Sequence, residues 1–133
     1  MKKTYLAVAI GGMIGACIRE WLELSIPTLS SFPLGTWIIN STGSFVLAFL
    51  SSYTTRIVRF PSWVRIGIGT GVLGAYTTFS TFCVETDKLL QQGHMITALI
   101  YLVGSLIAGI IFALLGHYIA QFMPIGKESS VRS

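Results

Sequence analysis

The sequence predicts an all-α membrane protein of four transmembrane helices, and two observations carry that reading. Only 11% of the 133 residues are charged while 53% are hydrophobic, and mean hydropathy is +0.74, well outside the profile of a soluble domain. The charge-free stretches are also long. Residues 34–55 and 66–84 hold no ionised side chain, and 89–126 hold none beyond His94 and His117. A bilayer core of roughly 30 Å needs about 20 helical residues, so each stretch supplies one spanning helix within a single compact unit.

The first helix is expected over 3–25, an apolar run from residue 4 to 18 that continues through Arg19 and Glu20. Lys2 and Lys3 before it resemble the start of a signal peptide, but no small-residue cleavage site followed by a soluble domain comes after. A retained helix is expected. The turn SIPTLSSFP follows, with Pro27 and Pro33 opposing helix. The second helix runs 34–55 and ends near Arg56, Arg59 and Pro61. The third, over 62–87, gives way to Gln91, Gln92 and Gly93. The fourth spans 95–122, and 126–133 is a polar tail.

Four spans put both termini on one side. That side carries seven basic residues (Lys2, Lys3, Arg56, Arg59, Arg65, Lys127 and Arg132), against Arg19 and Lys88 on the other. The positive-inside rule then favours cytoplasmic termini. Small residues recur four apart at Gly11/Gly15, Asn40/Ser44/Ala48, Gly67/Gly71 and Ser105/Gly109, a pattern that lets helix backbones approach closely in lipid. Four helices enclose little space, so a transport path implies an oligomer.

Several function classes are excluded. The net charge of +4 is dispersed, with no basic, aromatic-interleaved patch for nucleic acid. Cys17 and Cys83 lie in apolar runs without metal-ligand spacing. No nucleophile–base pair, phosphate loop or metal cluster points to an enzyme. No carboxylate falls in the middle of an expected helix, so a proton relay has no evident member. Uncharged polar groups stand there instead: Asn40, Ser41, Thr42, Ser44, Thr70, Thr77, Thr78, Ser80, Thr81, Tyr101 and Ser105. A passive channel is favoured over a pump.

The stretch GVLGAYTTFSTF, residues 71–82, raises the sharpest question. Its glycines and Thr-Thr pair weaken an unbroken helix, and non-helical backbone at membrane depth requires protein or a polar cavity around it. A break near Gly74–Thr78 would free carbonyl oxygens suited to a hard cation such as sodium. The helix restarting at Thr77 or Thr78 would turn its positive end toward an anion. An intact helix with hydroxyls bonded back to the preceding turn stands level with that reading. Phe79 and Phe82, three apart, share a face; they either pack or present positive ring edges to an anion. Asn40 is either interhelical glue or an N–H donor to an anion. Arg19 either snorkels to the interface or forms an anion-attracting vestibule. The lone His94 and His117 read as interfacial.

Three motifs together resemble the Fluc (CrcB) family of small fluoride channels: GGMIGACIR (11–19), GTWIINSTGSF (35–45) and GVLGAYTTFSTF (71–82). Their order, spacing and four-helix frame match across nearly the whole chain. The resemblance implies a third helix broken near its middle and an antiparallel dimer, passing fluoride out of the cytoplasm and excluding chloride, which confers fluoride resistance. It implies pore-lining Phe79 and Phe82, a fluoride donor in Asn40, and a polar track with Tyr101 and Ser105. Ser80 and Thr81 complete the polar stretch, and Arg19 matches the arginine ending the first motif. Gly74 and Thr77 would offer backbone carbonyls to a structural sodium ion (Na+) at the dimer centre. The implied setting is the bacterial inner, or plasma, membrane.

The chain departs from the family pattern at Ala75, where a second glycine is common, at Glu20, where an aromatic is common, and at Gly109, where the track carries a hydroxyl. The seven-to-two basic bias also opposes inserting one chain both ways, which leaves a homodimer or a heterodimer with an oppositely oriented relative. Two rivals remain. A small multidrug exporter needs a mid-membrane glutamate in helix one, which is absent around Met13. A non-transporting assembly subunit explains the small-residue packing but not the conjunction of Asn40, Phe79, Phe82 and the hydroxyl run.

Overall fold

The computed structural model describes residues 2–26, 31–57 and 60–124; Pro27, Arg59, Lys127, Arg132 and the 126–133 tail lie outside them. Three long helices dominate: α1 (Lys2–Ser25), α2 (Leu34–Arg56) and α6 (Met95–Phe122). Each is long and apolar enough to cross a membrane. Between α2 and α6 the chain forms α3 (Ser62–Ile66), a π-helical segment (Gly67–Leu73), α4 (Gly74–Tyr76) and α5 (Ser80–Gln91). No β-strand occurs among the described residues. Residues 62–91 do not make a fourth continuous span, because Thr77–Phe79 leave the helix and neither piece reaches the roughly 20 residues a span needs.

The boundaries follow local chemistry. Pro33 and Pro61 stand at the N-caps of α2 and α3, where a missing N–H goes unmissed. The helix before the third turn runs on to Gln91, a turn beyond the expected 87, because its stop is a glycine further along. Gly93 has φ +79°, and the N–H groups of Gly93 and His94 bond the carbonyls of Leu90 and Leu89, a Schellman cap. The π-helical segment coincides with Gly67, Gly69 and Gly71, the weakest helix formers after proline.

Two helix pairs build the bundle. α1 lies along α3, the π-helical segment and α4 in the same direction: a Cβ on Gly67 would meet Ala7, one on Gly71 would sit 2.8 Å from the Val8 carbonyl, and Gly15 abuts Val72 and Tyr76. Backbone-to-backbone approach of this kind is what small residues four apart permit. α2 packs on α6, where Gly116 touches the backbone of Phe45 and Phe49. At that end the Arg56 guanidinium donates to the Ala120 and Met123 carbonyls, compensating the C-terminus of α6. A small core of Leu89, Ala98 and Tyr101, flanked by Phe32, Trp37 and Phe82, closes the other end.

The outer surface is strongly apolar. Ile96 is 76% exposed, Leu24 80% and Leu106 66%. Apolar surface on this scale calls for a lipid or protein neighbour, so the interior of the bundle is where its polar groups matter.

Candidate functional site

The polar groups converge where α4 gives way to α5. Thr77 adopts φ −76° and ψ 151°, an extended conformation that turns the following peptide out of the helix. The Thr78 N–H donates to Asn40 Oδ1 and the Asn40 amide donates to the Thr78 carbonyl, each at 2.8 Å. Asn40 thus supplies both partners that an unbroken helix would have provided. Thr42 Oγ1 and the Tyr76 hydroxyl share a 2.8 Å hydrogen bond that ties α4 to α2. Beyond the break, Thr78 Oγ1 accepts from the Thr81 N–H and donates to Thr81 Oγ1, covering one of the first amides of α5.

Two carbonyls are released by this arrangement. The Thr78 N–H, the helical donor to Gly74, bonds Asn40 instead, and the Thr81 N–H, the helical donor to Thr77, bonds Thr78 Oγ1. Gly74 is exposed. Uncharged backbone oxygens of this sort suit a hard monovalent or divalent cation, so the donor set fits sodium.

Two grooves meet at Phe79. One, of about 260 Å³, is lined by Asn40, Gly43, Ser44, Leu47, Thr77, Thr78 and Phe79. The other, of about 320 Å³, is lined by Asn40, Ser44, Phe79, Phe82, Leu102, Ser105, Leu106 and Gly109. Phe79 is 77% exposed, so little of it is packed within its own chain. Its ring lies 5.9 Å from that of Phe82, centroid to centroid.

Ser105 differs from Ser44, which shares its groove. Ser44, like Ser41 and Thr42, donates back to a carbonyl of α2, whereas Ser105 Oγ is buried without a partner. Asn40 has spent one N–H on Thr78, leaving its second amide proton. The larger groove therefore holds two uncommitted donors beside two aromatic rings. Ser80 is exposed at the start of α5, and Thr81 is turned toward Thr78; neither lines either groove.

Tyr101 lies behind the groove. It is fully buried, its ring 5.0 Å from that of Phe82, and its hydroxyl donates to Glu85 Oε2 at 2.7 Å. Thr36 donates to the other oxygen of Glu85 at 3.0 Å. Sequence reasoning found no carboxylate in the middle of an expected helix and assigned Glu85 no role. Its position three residues after Phe82, on the same face of α5, was the available signal. Arg19 is half-buried on α1 with its Nε unpartnered, as is Glu23 Oε1, and it lies apart from both grooves.

Comparison with known proteins bears directly on this arrangement. The family model described as CrcB-like protein, Camphor Resistance (CrcB), matches residues 6–117. The chain is 42% identical over 90% of its length to the fluoride-specific ion channel FluC of Hydrogenobaculum sp. (strain Y04AAS1), covering 98% of that protein. It is 44% identical to FluC 2 of Geobacillus kaustophilus (strain HTA426), over 93% of this chain and 96% of that protein. It is also 44% identical to FluC 1 of Moorella thermoacetica, over 94% and 90%. With the family model spanning every element of the site, this chain is a membrane protein that belongs to the CrcB family.

Proposed function

We propose that this protein is a fluoride-specific ion channel that lets fluoride leave the bacterial cytoplasm passively, across the plasma membrane, and so confers fluoride resistance. The carrying observation is the groove where Asn40, Phe79, Phe82 and the unpartnered Ser105 hydroxyl meet, in a chain more than 40% identical to proteins named fluoride-specific channels. The protein acts as a channel, not as an enzyme.

Moving a small anion out of water has an idealised cost on the order of 20 kcal/mol. Groups that replace its water must therefore lie along the path. The second Asn40 N–H and the Ser105 hydroxyl supply hydrogen bonds, and the rims of Phe79 and Phe82 supply the positive edge of the aromatic quadrupole. The N-terminal end of α5, twelve residues long, adds a favourable dipole at the same place. Beyond Ser105, Tyr101 with its partner Glu85 continues the polar line along α6, and Ser80 and Thr81 extend it at the start of α5. Arg19 contributes attraction at the entrance.

The working assembly in this reading is an antiparallel dimer. α3, the π-helical segment, α4 and α5 together make the fourth crossing, broken near Thr77–Phe79. The exposed Phe79 ring supports the dimer, since such a ring beside polar grooves is expected to meet a second subunit. Gly74 and Thr77 carbonyls would hold a structural sodium ion, whose charge offsets the passing anion without a buried Lys or Arg. A homodimer is proposed; an oppositely oriented relative is the alternative that the basic-residue bias leaves.

One observation favours a second reading. Glu85, bonded to Thr36 and Tyr101 inside the bundle, is the kind of carboxylate a proton-coupled exporter employs. Efflux from liposomes holding the purified protein separates the two. Fluoride release without chloride release, indifferent to a pH gradient, supports the channel. Fluoride release that requires the gradient supports coupling, and no release from the folded protein, alone or with an oppositely oriented relative, contradicts both.

A further inference from the structure

A third groove lies between α1 and the π-helical segment. Ala7, Ile10, Gly11 and Ile14 of α1 face Trp63, Val64, Gly67, Ile68 and Val72 across about 290 Å³. Every lining residue is apolar, and between Ala7 and Ile14 the groove follows roughly 10 Å of helix rise. Ile10 and Ile14 remain 44% and 49% exposed, and Trp63 is 45% exposed at one end.

That end is basic. Because α1 and α3 run in the same direction with Ala7 against Gly67, Lys2 and Lys3 lie level with the beginning of α3. Arg65 follows one residue after the lining residue Val64. All three cations are exposed. Tryptophan collects at the headgroup level of bilayers, and Lys and Arg near a membrane surface attract anionic lipid. An apolar trough, an interfacial tryptophan and three cations at one end match the two halves of an anionic phospholipid.

We infer that this groove is a binding site for an anionic phospholipid. One acyl chain lies between α1 and the Trp63–Val72 face, and the phosphate is held by Lys2, Lys3 and Arg65. The inference rests on the chain spanning a membrane and is independent of what the protein conducts. Its consequence concerns the fluoride site, since the lipid would brace the π-helical segment immediately before the break at Thr77.

The test uses full-length protein with Trp21→Phe and Trp37→Phe, leaving Trp63 as its only tryptophan, in bilayers with brominated acyl chains. Brominated phosphatidylglycerol should quench Trp63 at lower mole fraction than brominated phosphatidylcholine. The expected difference is about fivefold per basic residue engaged. Lys3→Gln with Arg65→Gln should remove most of that preference. Ile10→Phe with Ile14→Phe should also remove it by filling the groove with the charges kept.

Equal quenching by the two lipids overturns the site. So does a preference that survives groove filling, since diffuse charge then explains it. Quenching by neither lipid means that protein covers the groove, as a second copy would, and also overturns it. Native mass spectrometry of the unaltered protein gives a check that needs no tryptophan replacement: it should retain phosphatidylglycerol over phosphatidylcholine, and Lys3→Gln with Arg65→Gln should lose that retention.

Discussion

The side chain of Asn40 and the peptide of Thr78 exchange two hydrogen bonds of 2.8 Å across 38 positions of sequence. One amide thereby holds α5 to α2 at the point where helical bonding lapses, and it has a second N–H left over in a residue that lines both grooves. In the proposed channel this one residue would serve both structure and conduction.

Removing that amide should be costly on both counts. Asn40→Ala leaves the Thr78 N–H and carbonyl without partners, each a buried polar group worth about 1–3 kcal/mol. Thermal unfolding in detergent should show a clear loss of stability. Asn40→Asp keeps the acceptor but removes the donor and puts negative charge beside the path. Fluoride efflux should fall by more than tenfold in both variants, and retained flux in Asn40→Asp would contradict the assignment.

Phe79→Ile and Phe82→Ile should each lower fluoride efflux several-fold while the dimer persists on size exclusion. Their stabilities should differ. Phe79 is 77% exposed within its chain, whereas Phe82 packs on Tyr101 at 5.0 Å, a contact worth about 0.5–1.5 kcal/mol beyond area burial. The second replacement should lower the melting temperature more than the first. Full flux in both variants would remove the aromatic edges from the mechanism.

The glycines offer a paired comparison. A Cβ on Gly71 would lie 2.8 Å from the Val8 carbonyl, backbone against backbone, while one on Gly12 meets nothing within 4 Å. Gly71→Ala should destabilise by about 1–3 kcal/mol through overpacking. Gly12→Ala should be neutral or stabilising by up to about 1 kcal/mol from helix propensity. Chemical denaturation in detergent reads both.

If Gly74 and Thr77 hold sodium, replacing sodium by a bulky organic cation should weaken the dimer and lower fluoride flux, reversibly on sodium return. Flux and dimer content unchanged after exhaustive exchange would remove the ion from the account.

The three continuous helices were legible because their signal is local: long charge-free runs bounded by proline, arginine and glycine. The break was not decidable from its own residues. Gly74, Thr77 and Thr78 weaken a helix without ending it, and the group that stabilises the departure, Asn40, sits on another helix. Glu85 was missed for the same reason. Near a helix end it reads as solvated, and only Thr36 from α2 and Tyr101 from α6 draw it inward. Tyr101 was read from resemblance as part of a track, and its bond to Glu85 shows what its hydroxyl does within the chain. Ser105 was legible as a residue but not as a free donor, which depends on Ser44 in the same groove having bonded its own helix instead.

Ser105 offers the most direct test that the groove itself is the path. Ser105→Cys in a Cys17→Ser, Cys83→Ser background should conduct fluoride and then lose most of its efflux once a thiol reagent is attached, with attachment verified by intact mass. Efflux unchanged in fully labelled protein would show that fluoride passes elsewhere and would contradict the account.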